Sequence, residues 1–164
     1  MRLLMILFFV LISYNSYSQN VKLNSIHFKY GVFSSNNSGV NIEIIDNGFQ
    51  RKEGKIVLKA TKYSVKEKKD ITKEYILSNN QYKEICNIIL KVNPNEILTD
   101  PNYIVLADGD YTELFCTSFY GKVTYRVLHF DYKEKTSPSK DFIKAVKLIL
   151  KYAEVEIYGI NKFK

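Results

Sequence analysis

Residues 78–89, SNNQYKEICNII, divide the chain into two strand-forming parts. Ser78 and Gln81 form a capping-box pattern, in which the two side chains accept hydrogen bonds from free backbone N–H groups at the start of a helix. Apolar residues then follow at the i, i+3, i+4, i+7 spacing of an amphipathic helix: Tyr82, Ile85, Cys86 and Ile89. The stretch therefore predicts a helix that begins after Ser78, and Asn93-Pro94 predicts where it ends.

Alternating apolar residues upstream of this helix predict four β-strands. The predicted strands are residues 21–33, 40–45, 55–65 and 71–77. The composition of residues 34–39, which are Ser, Asn and Gly only, predicts a loop between the first two strands. Asp46-Asn47-Gly48 predicts a hairpin turn after the second strand, because Asn-Gly readily adopts positive φ values.

Downstream of the helix, residues 111–119 and 123–130 predict a hairpin that turns at Tyr120-Gly121, and residues 103–106 predict a short strand before it. A last helix is predicted with Ser137 as its N-cap and Pro138 at its first position, where a missing N–H costs little. Four lysines line the solvent face of this helix: Lys140, Lys144, Lys147 and Lys151. Its apolar face comprises Phe142, Ala145, Val146, Ile149, Leu150 and Ala153. The tail after residue 155 predicts a short edge strand.

The order ββββ-α-ββ(β)-α predicts an α+β fold. Each helix has one apolar stripe that must be buried, and the sheet is the only predicted surface large enough to bury it. We expect an antiparallel β-sheet of about five to seven strands, with the two amphipathic helices packed on one face and the other face partly solvated.

The N-terminus has the layout of a cleavable signal peptide. Arg2 is followed by an apolar run over residues 3–12, and Ser16 and Ser18 occupy the small-residue positions of a cleavage site. The run is about half of the roughly 20 residues that span a bilayer, so no stable membrane anchor is expected. The sequence predicts a signal peptide over residues 1–18, cleavage before Gln19, and one soluble periplasmic or extracellular domain over residues 19–164.

The positive charge of the chain does not by itself predict a nucleic-acid partner. The chain has 24 basic and 17 acidic residues, a net charge of +7 that falls to +6 if Arg2 leaves with the leader. Beyond the leader, the only arginines are Arg51 and Arg126, although arginine is the residue best suited to bidentate phosphate recognition. Lys, Ile, Asn and Tyr, which are abundant here, all have AT-rich codons. No nucleic-acid binding is expected, and polyanion binding by the lysines of the last helix is a lesser alternative.

Cys86 and Cys116 leave two alternatives open. In an oxidising compartment they could form a disulfide, or they could be two buried free thiols. The chain has no CxxC spacing and only two histidines, His27 and His129, so the sequence predicts no metal site. It also lacks a Gly-x-Ser-x-Gly motif and a glycine-rich phosphate loop, so we assign no catalytic residue and no cofactor.

Residues 108–113 contain the one acidic cluster, formed by Asp108, Asp110 and Glu113. Carboxylates grouped in this way can hold a divalent cation or perform acid–base chemistry, although Asp108-Gly109 is also an ordinary turn. Tyr111 and Tyr125 lie in the adjoining predicted strands, and tyrosine is common at protein-binding surfaces. We take these five residues as the candidate binding residues.

The leading prediction is a non-enzymatic protein-binding module of the cell envelope, of an inhibitor or immunity type. It rests on a small exported domain from a chain that has 13 tyrosines and 10 phenylalanines, with several of the tyrosines in or beside predicted strands. It places the partner, another protein, on the open face of the sheet. The alternative is a small periplasmic hydrolase or metal-dependent enzyme that uses the acidic cluster.

Overall fold

The predicted α+β class is confirmed by the computed structural model, which describes residues 22–32, 35–46, 55–99, 109–128 and 139–161. The described residues form six strands and three helices, two of which are long. In chain order, the elements are β1 (Leu23–Val32), β2 (Ser35–Ile45), β3 (Ile56–Ser64), β4 (Lys69–Leu77), α1 (Asn79–Ile89), α2 (Pro94–Leu98), β5 (Asp110–Ser118), β6 (Lys122–Leu128) and α3 (Lys140–Tyr152).

The six strands form one antiparallel sheet in the order β4-β3-β2-β1-β5-β6. The first four strands pair consecutively, and β5 then pairs with the free side of β1. The chain therefore crosses from one edge of the sheet to the other between β4 and β5. Phe28 of β1 lies opposite Ile42 of β2 and Leu114 of β5, which places it at the centre of the core.

In the four inner strands, buried residues beneath the helices alternate with half-buried or exposed ones, as the pleat of a sheet requires, whereas each edge strand buries a single residue, Leu77 in β4 and Val127 in β6. Ile26 and Phe28 of β1 are on this side, and the buried residues of the other strands continue the same rows across the sheet. The hydroxyl of Tyr82 in α1 donates to the Leu23 carbonyl, and the ring of Phe142 in α3 contacts that of Tyr125 at a centroid distance of 6.4 Å. The helices and this face of the sheet share one hydrophobic core.

The predicted start of the first helix is confirmed in detail. The Ser78 hydroxyl accepts from the Gln81 N–H at 3.2 Å, and the Gln81 side chain accepts from the Ser78 N–H at 2.8 Å. The helix ends earlier than predicted, at Ile89. Asn93-Pro94 instead begins α2, because the Asn93 side chain accepts from the Asn95 N–H at 3.0 Å and proline suits a first helical turn.

Two other boundaries differ from the sequence-based predictions. The predicted loop over residues 34–39 is wrong for residues 35–39, which belong to β2 despite their turn-like composition, and the pairing of β2 with β1 reaches Ser35 opposite Val32. The predicted edge strand after residue 155 is also wrong for the described residues, which form turns up to Asn161. The Asn161 side chain holds these turns by accepting from the Ile157 N–H at 2.9 Å and donating to the Val155 carbonyl at 2.8 Å.

The last helix occurs as predicted, but its N-cap in the structure is not the predicted Ser137. Ser139 is the N-cap of α3, and its hydroxyl donates to the Glu96 carbonyl at 3.1 Å instead of capping the helix. The predicted cap Ser137, Pro138 and the predicted strand over residues 103–106 lie outside the described residues. Within the described part of the chain, no helix combines the length and the apolar character that crossing a bilayer requires.

Candidate functional site

The sheet face opposite the helices is the candidate site, and we call it the open face. It consists of the strand residues that alternate with the buried ones. Among the described residues, it includes Ser25, His27, Lys29, Asn41, Glu43, Ile45, Val57, Lys59, Thr61, Thr72, Glu74, Ile76, Tyr111, Glu113, Phe115, Thr117, Lys122, Thr124 and Arg126. None of the described helices packs on this side, and all of these side chains are half-buried or exposed.

Tyr111 is the centre of a cationic cluster on the open face. Its ring lies across β1 at Gly31, where an added Cβ would come within 2.7 Å of the ring. The Arg126 guanidinium lies 5.1 Å from the ring centroid and the Lys29 ammonium 5.8 Å from it, both within the range of cation–π attraction. Glu113 of β5 is the cross-strand neighbour of both Lys29 and Arg126, and its carboxylate lies 3.9 Å from the Arg126 guanidinium. Tyrosine and arginine are thus presented together on a rigid strand pair.

A row of alternating charges crosses the middle of the open face. Glu74, Lys59, Glu43 and His27 are cross-strand neighbours on β4, β3, β2 and β1. Lys59 and Glu74 form an ion pair at 3.5 Å, and His27 Nδ1 lies 3.9 Å from Glu43, which is an ion pair only when the histidine is protonated. Each acidic residue of this row therefore faces a basic partner in the next strand.

Apolar side chains interrupt the polar rows of the open face. Ile45, Val57 and Ile76 are cross-strand neighbours, and Ile76 on the edge strand is 56% exposed. Phe115 of β5 lies against His27 of β1, with a ring centroid distance of 5.6 Å. The open face thus combines apolar and aromatic area with charged side chains.

The structure does not bring the five candidate residues to one place. Tyr111 and Glu113 lie on the open face, whereas Asp110 shares the helix side with the buried Thr112, and Tyr125 is paired with the buried Leu114. Asp108 lies outside the described residues. The separation follows from the strand period of two, because residues an odd number of positions apart lie on opposite faces.

Tyr125 has a packing role in the core. Its ring contacts Phe142 of α3, and its hydroxyl donates to the Val92 carbonyl at 3.4 Å. Burial raises its pKa, and the nearby Cys116 contributes to the shift. The side chain thus joins β6 to α3 and to the residues that precede α2.

Asp110 accepts a hydrogen bond from the Tyr30 side chain on the helix side of the sheet. Burial raises the pKa of Tyr30, and its hydrogen bond to Asp110 and the charge of that carboxylate raise it further. Among the described residues, no group of three or more His, Cys, Asp and Glu side chains could hold a metal ion. His129 lies outside the described residues.

The disulfide alternative for Cys86 and Cys116 is wrong in this structure, in which both are free, buried thiols. The two cysteines are close enough for the charge of Cys86 to affect Cys116, but they do not form a bond. Burial is the main cause that raises the pKa of Cys86 to about 11 and that of Cys116 to about 12. Such thiols are protonated at neutral pH and are poor nucleophiles.

Sequence reasoning predicted the turn of the β5–β6 hairpin at Tyr120-Gly121 but did not single out the exposed aromatic pair at its tip. Phe119 and Tyr120, which we call the hairpin tip, are 87% and 82% exposed, and their rings meet edge to face at 5.3 Å. The available signal was the turn itself: two aromatic residues directly before Gly121, between two predicted strands, occupy a loop where nothing in the adjoining sheet can cover them.

Comparison with protein-family models and with curated proteins found no match to this chain.

Proposed function

We propose that the protein is an exported, non-enzymatic module of the cell envelope that binds another protein through the open face. The cluster of Tyr111, Lys29 and Arg126 is the observation that carries this proposal. Tyrosine and arginine are the residues that most often dominate binding energy at protein interfaces. An inhibitor or an immunity-type protein, which blocks its partner by covering it, is the form of this function that we favour.

The size of the open face supports a protein partner. Six strands about 4.8 Å apart and nine residues long, at about 3.3 Å per residue, give a face of about 700 Å². A standard protein interface buries about 800 Å² on each partner. The open face is therefore large enough to supply most of such an interface without help from loops.

The pairing of charges on the open face favours a protein over a polyanion. Glu43, Glu74 and Glu113 each face a basic side chain on a neighbouring strand. A surface in which both signs alternate gives specificity for a partner with a matching pattern, whereas a polyanion site needs an excess of positive charge. Arg126 and Lys29, held against the Tyr111 ring, supply the anchor at one end of this pattern.

The acidic cluster gives no support to the alternative of a hydrolase or metal-dependent enzyme. Asp110 and Glu113 lie on opposite sides of the sheet, so the two carboxylates cannot act on one substrate or hold one cation. The export of the protein rests on the features of its first 18 residues, namely Arg2, the apolar run and the small residues Ser16 and Ser18.

Site-specific photo-crosslinking in the producing cells tests the proposal. A photoreactive residue is placed at Thr124, which is exposed on the open face, and in a matched control at Lys144, which is exposed on α3. We expect one defined protein adduct from position 124 and none from position 144. The adduct should be lost when Tyr111 and Arg126 are both replaced by alanine.

An activity assay of the purified partner then distinguishes simple binding from inhibition. An inhibitor or immunity-type protein should abolish the partner's activity at a one-to-one ratio, and the Tyr111→Ala/Arg126→Ala variant should not. If position 124 gives no adduct, or gives the same adducts as position 144, the open face is not the binding surface.

A further inference from the structure

The hairpin tip is a fixed, convex aromatic projection. The Ser118 N–H donates to the Gly121 carbonyl at 2.8 Å, and the Tyr120 N–H donates to the Ser118 hydroxyl at 3.2 Å. These bonds hold the loop between β5 and β6, so the two exposed rings project from a rigid hairpin. Exposing two aromatic rings to water is unfavourable, and the packing within the described fold does not require it.

The end of the sheet that carries the hairpin tip has an excess of positive charge, since three lysines and one aspartate lie at the described strand ends there. Lys122 follows the tip directly and is paired with Thr117. Lys22 precedes β1 at the same end, since Leu23 pairs with Ser118, and it forms an ion pair at 3.2 Å with the buried Asp46. Lys55 precedes β3 and lies at the same end of the sheet. Val57 of β3 pairs with Ile45 of β2, which in turn pairs with Ser25 near the start of β1.

We propose that the hairpin tip inserts into the interfacial region of an anionic lipid bilayer. Phe119 supplies an apolar ring, and Tyr120 combines an aromatic ring with a hydroxyl, the combination that favours the headgroup level of a membrane. The basic residues beside the tip and the net positive charge of the chain, which is +6 without Arg2, are complementary to anionic headgroups.

A bilayer suits the shape of the tip better than a protein surface does. A specific protein interface needs a broad surface of about 800 Å² on each side, whereas two rings on a narrow turn offer a small area that can enter a fluid interface. The contact is a reversible surface contact of an otherwise water-exposed domain. It leaves the open face accessible, because the tip lies beyond the ends of β5 and β6.

The absence of tryptophan from the chain allows a direct test. Phe119→Trp places a single fluorophore at the tip, and Tyr158→Trp places one at a control position that is 92% exposed in the C-terminal turns. Both variants of the full chain are mixed with vesicles of phosphatidylcholine containing 30% phosphatidylglycerol, and with vesicles of phosphatidylcholine alone. Lipids brominated on their acyl chains then report which tryptophan enters the bilayer.

We expect the Phe119→Trp emission to shift to the blue and to be quenched by the brominated, anionic vesicles, while the Tyr158→Trp emission is unchanged. The Phe119→Ala/Tyr120→Ala variant should bind these vesicles at least tenfold more weakly in sedimentation, with an unchanged urea midpoint. Any contribution of the N-terminal apolar run to vesicle binding is the same in all variants, so it does not affect the comparison between them. Vesicle binding without a change at position 119, or without loss in the double-alanine variant, would overturn the proposal.

The two proposals fail separately. The Tyr111→Ala/Arg126→Ala variant should lose its protein adduct and keep its binding to anionic vesicles. The Phe119→Ala/Tyr120→Ala variant should show the reverse. If the tip variant loses the protein adduct and the wild-type protein does not bind vesicles, the tip belongs to the protein interface and the lipid proposal is wrong.

Discussion

The ring of Tyr111 can lie across β1 because residue 31 has no side chain. A Cβ at this position would meet the ring at 2.7 Å, so the Gly31→Ala variant must displace the ring from its place between Lys29 and Arg126. The ring can swing outward, and we therefore expect a modest destabilisation of about 1 kcal/mol, at the low end of the cost of overpacking. Urea denaturation measures this change.

A double-mutant cycle isolates the contact between these residues. In a Tyr111→Ala background, Gly31→Ala should cost much less than in the wild type, because no ring remains to be displaced. Gly121→Ala is the matched control, since an added Cβ there meets no atom within 4 Å. Equal costs of Gly31→Ala in both backgrounds would show that the ring does not lie over β1.

The buried thiols make stability depend on pH in the alkaline range. The folded protein holds the pKa of Cys86 at about 11 and that of Cys116 at about 12, above the value of about 8.5 for an unfolded chain. Their contribution to stability is therefore complete below about pH 8.5 and is lost as the pH rises toward the folded values. Each thiol should lower the free energy of unfolding by about 1 kcal/mol per pH unit in this interval.

Urea midpoints at pH 8, 9 and 10 test this dependence. The Cys86→Ala/Cys116→Ala variant should be less stable at pH 8 but should lose less stability between pH 8 and pH 10 than the wild type. Tyr82→Phe keeps both thiols and should retain the wild-type slope. If the stability of the double variant falls as steeply with pH as that of the wild type, groups other than these two thiols cause the pH dependence.

The candidate residues show what a residue-level reading of the sequence can and cannot provide. Tyr111 and Glu113 were correctly placed in a strand, but the cluster with Asp110 was grouped by sequence distance, which the alternation of a strand overrides. Arg126 and Lys29 were not singled out, because their contact with Tyr111 depends on a register between three strands that no local pattern contains.

At the scale of single elements, the first turn of α1 offers the clearest test. Ser78→Ala removes the hydroxyl that accepts from the Gln81 N–H, and we expect a loss of about 1 kcal/mol in the free energy of unfolding. Ser78→Asp should restore most of this stability, because aspartate is an equally good N-cap and its charge favours a helix N-terminus. An equal loss in both variants would mean that Ser78 acts through something other than the cap.

Local signals predicted the long elements and failed at short ones. In the strands and both long helices, apolar residues recur at a spacing that is typical of that element and of few other structures. In α2, by contrast, Asn93-Pro94 suits the end of one helix and the start of the next equally well, and only five residues follow to distinguish them. Residues 35–39 have the composition of a loop, yet they belong to β2, whose pairing with β1 continues past a register shift to Ser35.

At the scale of the whole molecule, the two faces of the sheet are under different constraints. The helix side contains the core, so its residues are constrained by packing and cannot also contact a partner. The open face and the hairpin tip carry side chains that the described core does not need, among them Arg126, Ile76 and Phe119. A protein partner on the face and a lipid surface at the tip can therefore be accommodated on one small fold.

Both proposals require the chain to leave the cytosol, and this requirement is testable at the cleavage site. We expect the protein from the cell envelope to begin at Gln19 by mass spectrometry. Ser18→Leu puts a large side chain at a position that requires a small one and should leave the leader attached, whereas Tyr17→Leu, between the two small-residue positions, should be processed normally. Recovery of the chain with Met1 from the cytosol would remove the envelope as the place where the open face and the hairpin tip act, because a chain retained in the cytosol has both surfaces on the wrong side of the membrane.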